Sequence, residues 1–266
     1  MHSLFSIRLA QALGLASVAA LASLPVPAFA ELSNDSMAGL GLRSRPAYDG
    51  SASQKLEAVP VIRYLGQTFI VRSTQGVLEA GARTQLAPGL HAGAQIAYEP
   101  GRQSGDDDFL ESRRVATIGR GASLGLHLEW DHTLGPVPIS LLARVRKHSD
   151  SALGTQADLR ASVGVLRSGP VSAGLFAQAI WADTKATQAL YGITSQQSTA
   201  TGLSVFQPGS GWLNTSFGVL GSVDLGPKWI VVGSLEQRRL RGDAARSPLA
   251  QRSSNHYVSA GLAYRF

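Results

Sequence analysis

The sequence predicts an all-β fold: a single transmembrane antiparallel β-barrel of about 12 strands, with short periplasmic turns and long outer loops. Three observations predict it. The chain ends on an alternating strand, with Val258, Ala260, Leu262, Tyr264 and Phe266 on one face and Tyr257, Ser259, Gly261, Ala263 and Arg265 on the other. The links between alternating segments are short and long by turns. Past residue 30 no stretch is long and apolar enough for a membrane helix, so a membrane form must be a closed barrel.

Residues 1–30 read as a secretory signal peptide. Met1–Arg8 is short and basic, Leu9–Leu24 is rich in Leu and Ala, and Pro25-Val26-Pro27 precedes Ala28-Phe29-Ala30, an A-x-A site. The expected mature chain, residues 31–266, is one barrel domain. Removing the signal takes away Arg8 alone, leaving 23 basic and 18 acidic residues, a net charge of +5. That charge is spread along the chain without a Lys/Arg block, so nothing points to nucleic acid. There is no cysteine, which excludes thiolate metal sites and cysteine nucleophiles.

The strands follow in order. Period-2 alternation places them at Met37–Arg45, Leu56–Leu65, Gln67–Ser73, Val77–Leu86, Leu90–Glu99 and Arg120–His132. The remainder are Ile139–His148, Thr155–Arg167, Val171–Ala182, Leu213–Leu225, Trp229–Leu240 and His256–Phe266. The sixth is the clearest: Ala122, Leu124, Leu126, Leu128 and Trp130 alternate with Gly121, Ser123, Gly125, His127 and Glu129. The second is weakened by Pro60, which cannot donate a ladder bond.

Tight turns fall at Leu65-Gly66, Ala87-Pro88-Gly89, Leu134-Gly135-Pro136-Val137, Ser168-Gly169-Pro170 and Gly226-Pro227-Lys228. Long links fall at Pro46–Lys55, Pro100–Gly119, Ser149–Gly154, Asp183–Trp212 and Arg241–Asn255; only Thr74–Gly76 is short in a long position. This asymmetry is the outer-membrane pattern, and an even strand number puts both ends on the periplasmic side. Lys185–Leu190 and Thr194–Thr201 are expected as short helices within the longest link.

The same alternation sorts the faces. The lumen is expected to hold Arg83, Glu99, Glu129, Arg144, Arg146, Asp158, Arg160, Asp224, Glu236, Arg238 and Arg265. The lipid face is expected to hold Leu, Val, Ala and Ile, with Trp130, Trp181, Trp229, Tyr98, Tyr264 and Phe266 near strand ends as an aromatic girdle. Tyr264 and Phe266 are expected to form the terminus that barrel assembly requires. Mixed inward charges fit either ion-pair packing of the lumen or a small polar pore.

Chemical signatures are sparse. Asp106-Asp107-Asp108 offers carboxylates to a hard cation, but without calcium-loop spacing it reads as a solvated acidic loop. There is no G-x-S-x-G and no H-E-x-x-H, and no catalytic residue, metal site or cofactor is expected. A barrel hydrolase would need a serine hydroxyl in hydrogen-bond reach of a histidine.

Three segments carry a family resemblance. They are Ala47–Tyr64 (AYDGSASQKLEAVPVIRY), Trp181–Leu203 (WADTKATQALYGITSQQSTATGL) and Leu240–Phe266 (LRGDAARSPLAQRSSNHYVSAGLAYRF). In this order they resemble the MipA/OmpV family of outer-membrane proteins. The resemblance implies an outer-membrane barrel surrounded by lipid and inserted by the barrel-assembly machinery. It implies a scaffold role, with a lytic murein transglycosylase and a bifunctional murein synthase as partners; other members are described as porin-like or adhesive. The matching residues Tyr48, Gly50, Asp183, Tyr191, Gly192, Gly242, Asp243 and Pro248 are expected to shape the outer loops. Asp183 and Asp243 are expected to do so by accepting hydrogen bonds.

Overall fold

The computed structural model describes residues 35–74 and 77–266; the expected signal peptide lies outside them. The chain forms a closed antiparallel barrel of 12 strands, each paired with its neighbours in sequence and the last with the first. The strands are β1 (Met37–Pro46), β2 (Gln54–Leu65), β3 (Phe69–Thr74), β4 (Val77–Ala87), β5 (Leu90–Glu99) and β6 (Gly121–Leu134). They continue as β7 (Val137–His148), β8 (Thr155–Ser168), β9 (Val171–Ala182), β10 (Gly211–Asp224), β11 (Trp229–Leu240) and β12 (Ser254–Arg265). Every predicted strand is present. No strand end moves by more than two residues: at the turns Gly135-Pro136 alone joins β6 to β7, with Gly135 at φ 60°, and Gln67 belongs to the turn before β3, while β2, β10 and β12 each begin two residues earlier.

Four short helices sit in the outer loops. They are α1 (Asp108–Ser112), α2 (Thr184–Tyr191), α3 (Ser195–Thr201) and α4 (Gly242–Arg246). The helices α2 and α3 match the two expected in the longest link, and each has its cap. Asp183 Oδ1 accepts from Ala186 N at 2.8 Å, and Thr194 with Gln197 makes a reciprocal capping box.

The barrel closes between β1 and β12, from Met37 opposite Arg265 to Ser44 opposite Val258. This seam is tight. A Cβ at Gly41 would lie 2.7 Å from the Ala260 carbonyl oxygen, and one at Gly39 would collide with that of Leu262. The terminus is tied in as well: Phe266 N donates to Ser36 O at 3.2 Å, and Arg265 Nη2 donates to Asp224 Oδ1 at 2.6 Å.

The outward face is apolar. Leu40 is 74% exposed, and Leu124, Leu126, Phe217 and Leu235 are exposed likewise. Such a surface has no place in water and suits hydrocarbon. Aromatics stand at both ends of it. Trp130, Trp229, Tyr64, Phe69 and Tyr264 lie toward the short turns, and Tyr98, Trp181 and Trp212 toward the long loops. Trp229 and Tyr264 meet edge to face at 5.3 Å.

Phe266 is itself 71% exposed, so its side chain contributes little to the packing of the monomer. Its role in assembly is an expectation tested directly. The substitution Phe266→Asp is expected to reduce membrane-inserted, heat-modifiable protein more than any single outer-loop substitution. Normal insertion of that variant, read by electrophoretic mobility before and after heating, overturns the expectation.

Candidate functional site: a charged lumen under a folded cap

The inward residues of β3 to β8 form one ion-pair network. Glu79, with a fully buried side chain, pairs with Arg72 and, at 3.0 Å, with Arg144. Arg72 reaches Glu129 at 3.0 Å, and Glu129 meets Arg83 at 3.7 Å. On the other side Arg144 pairs with Asp158 at 3.0 Å, and Arg146 bridges Asp158 (3.8 Å) and Glu99 (3.1 Å). Arg83 also donates to the carbonyls of Leu65 and Gly66, at 3.1 and 3.0 Å, near the periplasmic end. Charges buried this far are tolerable only when each is paired and hydrogen-bonded.

Arg160 completes the inward set differently. Its guanidinium lies 3.9 Å over the Phe176 ring and donates to Gln178 Oε1 at 3.3 Å. Glu236 and Arg238 pair at 2.9 Å on β11. Most of this set is expected from strand alternation, and Glu79 and Arg72 are added by the structure. Glu79 shares the parity of Arg83 on β4 and was legible by the same rule. Arg72 lies on the short β3, where alternation is brief.

The outer loops fold into a cap with its own apolar core. Ala47 and Tyr48 from the first loop, Leu110 and Val115 from the third, Ile193 from the fifth and Leu249 from the sixth are all buried together. Hydrogen bonds join the same loops. Tyr48 Oη donates to Leu249 O at 2.7 Å, Gln251 Nε2 donates to Tyr48 Oη at 3.0 Å, and Gly50 N donates to Asn255 Oδ1 at 2.8 Å. Gly50 takes φ +103°, a conformation open to glycine and strained for other residues. Burial pushes the Tyr48 hydroxyl up to about 12.

Asp49 is the hub between cap and lumen. Its carboxylate accepts from Arg238 Nη1 at 2.9 and 3.1 Å, from Asn214 Nδ2 at 3.3 Å and from the Tyr257 hydroxyl. Tyr191 Oη donates to its backbone oxygen at 3.4 Å. Burial works against ionisation of Asp49, but Arg238 and the Tyr257 hydroxyl outweigh it and hold the carboxyl below its ordinary range. Tyr191 is buried, and its hydroxyl is raised well above its ordinary value by burial first and by Asp49 next. No local signal marks Asp49 in the sequence, because its partners come from β10, β11 and β12, far along the chain.

The remaining loop residues have definite contacts. Asp183 Oδ2 accepts from Thr155 N at 3.0 Å, so the carboxylate caps α2 and ties it to β8. Gly192 packs against the Gln188 side chain. Gly242 opens α4 at φ +49°, and Asp243 accepts from Gly209 N at 2.8 Å and pairs with Arg246. Pro248 is second in a turn closed by Ala250 N donating to Ser247 O at 2.9 Å, the place where its fixed φ fits. The substitution Asp183→Ala is expected to cost about 1–2 kcal/mol, a lost helix cap, and to speed proteolysis between β9 and β10. Limited proteolysis in detergent measures it; an unchanged rate counts against the assignment.

Of the acidic run, Asp106 and Asp108 are exposed as expected of a solvated loop, and Asp107 departs from that expectation. Asp107 is 3% exposed, caps α1 by accepting from Leu110 N at 3.1 Å, and accepts from the Ser51 hydroxyl. Asp106 pairs with Lys55. The Leu110 backbone N–H, the Ser51 hydroxyl and the Gln251 amide satisfy the buried Asp107 carboxylate, so this residue serves cap folding. Among the described residues no cluster of His, Asp and Glu has the geometry of a metal site. Of the described histidines, His148 accepts at Nδ1 from Asp150 N rather than meeting a serine hydroxyl.

Comparison with known proteins agrees with this architecture. The MltA-interacting protein of Escherichia coli (strain K12) is 26% identical over 239 residues, covering 86% of this chain and 88% of the relative. A putative outer membrane protein, YiaT, of the same organism is 23% identical, covering 94% of this chain and 98% of its own length. Among solved structures, the COG4313 outer membrane channel from Pseudomonas putida F1 superposes with a TM-score of 0.50 at 12% identity, covering 92% of this chain and 98% of that one, a likeness of fold. The family model described as MltA-interacting protein MipA matches residues 38–266, the whole barrel from β1 to the terminal phenylalanine, and the chain belongs to that family.

Proposed function

We propose that this chain is a non-enzymatic outer-membrane scaffold that docks enzymes of murein (peptidoglycan) synthesis. Its export would use the signal at residues 1–30, and its insertion the barrel-assembly machinery acting on the closing strand. The observation that carries the reading is a lumen occupied by the Arg83-to-Glu99 ion-pair network and covered by a hydrogen-bonded cap, an arrangement that favours a rigid platform over a passage. Family membership and the name of the Escherichia coli relative support the partner class, a lytic murein transglycosylase with a bifunctional murein synthase. Such partners would meet the short turns on the periplasmic side.

Affinity capture with the full mature chain in mild detergent tests this. Retention of the transglycosylase above a control barrel is expected. Failure to retain it or the synthase, with normal behaviour of the control, overturns the reading. The competing reading is a small-solute channel, favoured by a cavity of about 260 Å³ that persists beneath the cap. Planar-bilayer recording separates the two, because a folded scaffold is expected to be electrically silent and a pore to conduct.

A further inference from the structure

The barrel wall is split between β2 and β3. β2 pairs with β1 from Gln54 through Arg63, but with β3 only over Arg63–Leu65. One step further the backbone ladder gives way to a side chain: Ile62 N donates to Ser73 Oγ at 3.0 Å, and that hydroxyl lies 3.4 Å from Ile62 O. With a period of two, the backbone groups of Leu56, Ala58 and Pro60 point the same way as those of Ile62, toward a strand that has ended at Thr74. Pro60 has no N–H to leave unpaired there. A proline also discourages another strand from adding to this edge, so the split is an opening rather than a site for strand exchange.

Behind the split lies a cavity of about 170 Å³. Pro60, Ile62 and Thr74 line it at the wall, Met37, Phe176 and Val232 line it inside, and the ionic side chains of Arg43, Arg63, Arg72, Arg160 and Glu236 also border it. Toward the periplasm Met37, Ile230 and Ala263 pack together, none more than 3% exposed. Toward the outside, Arg43 and Arg238 stack on Tyr257 at 5.1 and 4.3 Å, under Asp49. The short β2–β3 ladder leaves a way out sideways. The volume is comparable to an apolar cavity of about 150 Å³ known to hold benzene, so it takes part of a medium chain, with the rest lying in the split, and excludes a phospholipid. Arg43 borders this space, is 9% exposed, and makes no ion pair among the described residues, unlike Arg72, Arg144 and Arg238.

We propose that this pocket binds a medium-chain amphiphile with an anionic head, taken from the outer leaflet through the β2–β3 split. The chain lies against Met37, Phe176 and Val232, and the head meets the Arg43 guanidinium. Equilibrium dialysis of radiolabelled decanoate against the full mature chain in zwitterionic nanodiscs tests it, with empty nanodiscs subtracted. Saturable binding is expected, with decanol at least tenfold weaker and Arg43→Ala weakened roughly tenfold, as for a lost charge-assisted hydrogen bond. Val232→Trp, which fills the cavity, is expected to abolish binding while keeping heat-modifiable mobility. A disulfide from Val61→Cys with Thr74→Cys, positions that face each other if the ladder is extended, is expected to slow uptake. Equal binding of decanol and decanoate, wild-type binding by Arg43→Ala, or no saturable binding above empty nanodiscs overturns the pocket. Unchanged uptake by the cross-linked protein overturns the lateral entry.

Discussion

Replacing Glu79 with alanine is expected to destabilise the barrel by about 3–5 kcal/mol, the cost of leaving buried charge uncompensated. The side chain is fully buried, and it is the one carboxylate shared by Arg72 and Arg144. Gln95 Nε2 also donates to it at 2.8 Å. Without Glu79, Arg72 keeps Glu129 and Arg144 keeps Asp158, but both guanidiniums then face one another across a space water reaches poorly. Glu79→Gln keeps the shape and the contact with Gln95 but loses the charge, so its cost is expected to be smaller. Urea unfolding in lipid vesicles, followed by tryptophan fluorescence, measures both. A change within about 0.5 kcal/mol for the alanine variant, the range of an ordinary surface substitution, overturns the network as the stabilising element of the lumen.

Replacing Asp49 with alanine is expected to release the cap. Arg238, Tyr257 and Asn214 lose their common acceptor at once, and the first loop loses its hold on the last three strands. The expected readouts are faster proteolysis at residues 47–53 and conductance steps absent from the wild type. The pH dependence has a definite sign. The Asp49 carboxyl is held below its ordinary range in the folded cap, so the stability it contributes is fully present above the unfolded carboxyl value, about 3.9. That contribution is lost as pH falls through the folded value. Wild-type protein is therefore expected to keep its closed cap across neutral pH and to loosen only in acid, whereas Asp49→Ala is loose throughout. A variant as protected as the wild type at neutral pH would remove Asp49 from this role.

Particular residues show where the sequence could be read. Leu124, Leu126 and Leu128 alternate with Gly125, His127 and Glu129, and the first set is exposed while His127 and Glu129 are buried. A period of two fixes which residues share a face without reference to any other strand. The capping pairs of α2 and α3 are equally local, with each acceptor three residues from its donor. Asp107 is the opposite case. Its burial depends on Ser51 and Gln251, which approach from two other loops.

The sequence by itself determined the barrel, its strand number, the polarity of its two faces and the side on which the long loops gather. Those properties follow from alternation and turn chemistry, which act within a few residues of chain. Only the tertiary structure decided what fills the lumen and what covers it. Glu79 meets Arg144 across 65 residues of chain, and Asp49 meets Tyr257 across 208. Which opposite charges pair depends on strand register and barrel closure, because a carboxylate carries no local signal of the guanidinium it will face. The short β2–β3 ladder belongs to the same class: Pro60 was visible as a weak point, but the opening beside it exists only because β3 turns back at Thr74 while β2 runs on.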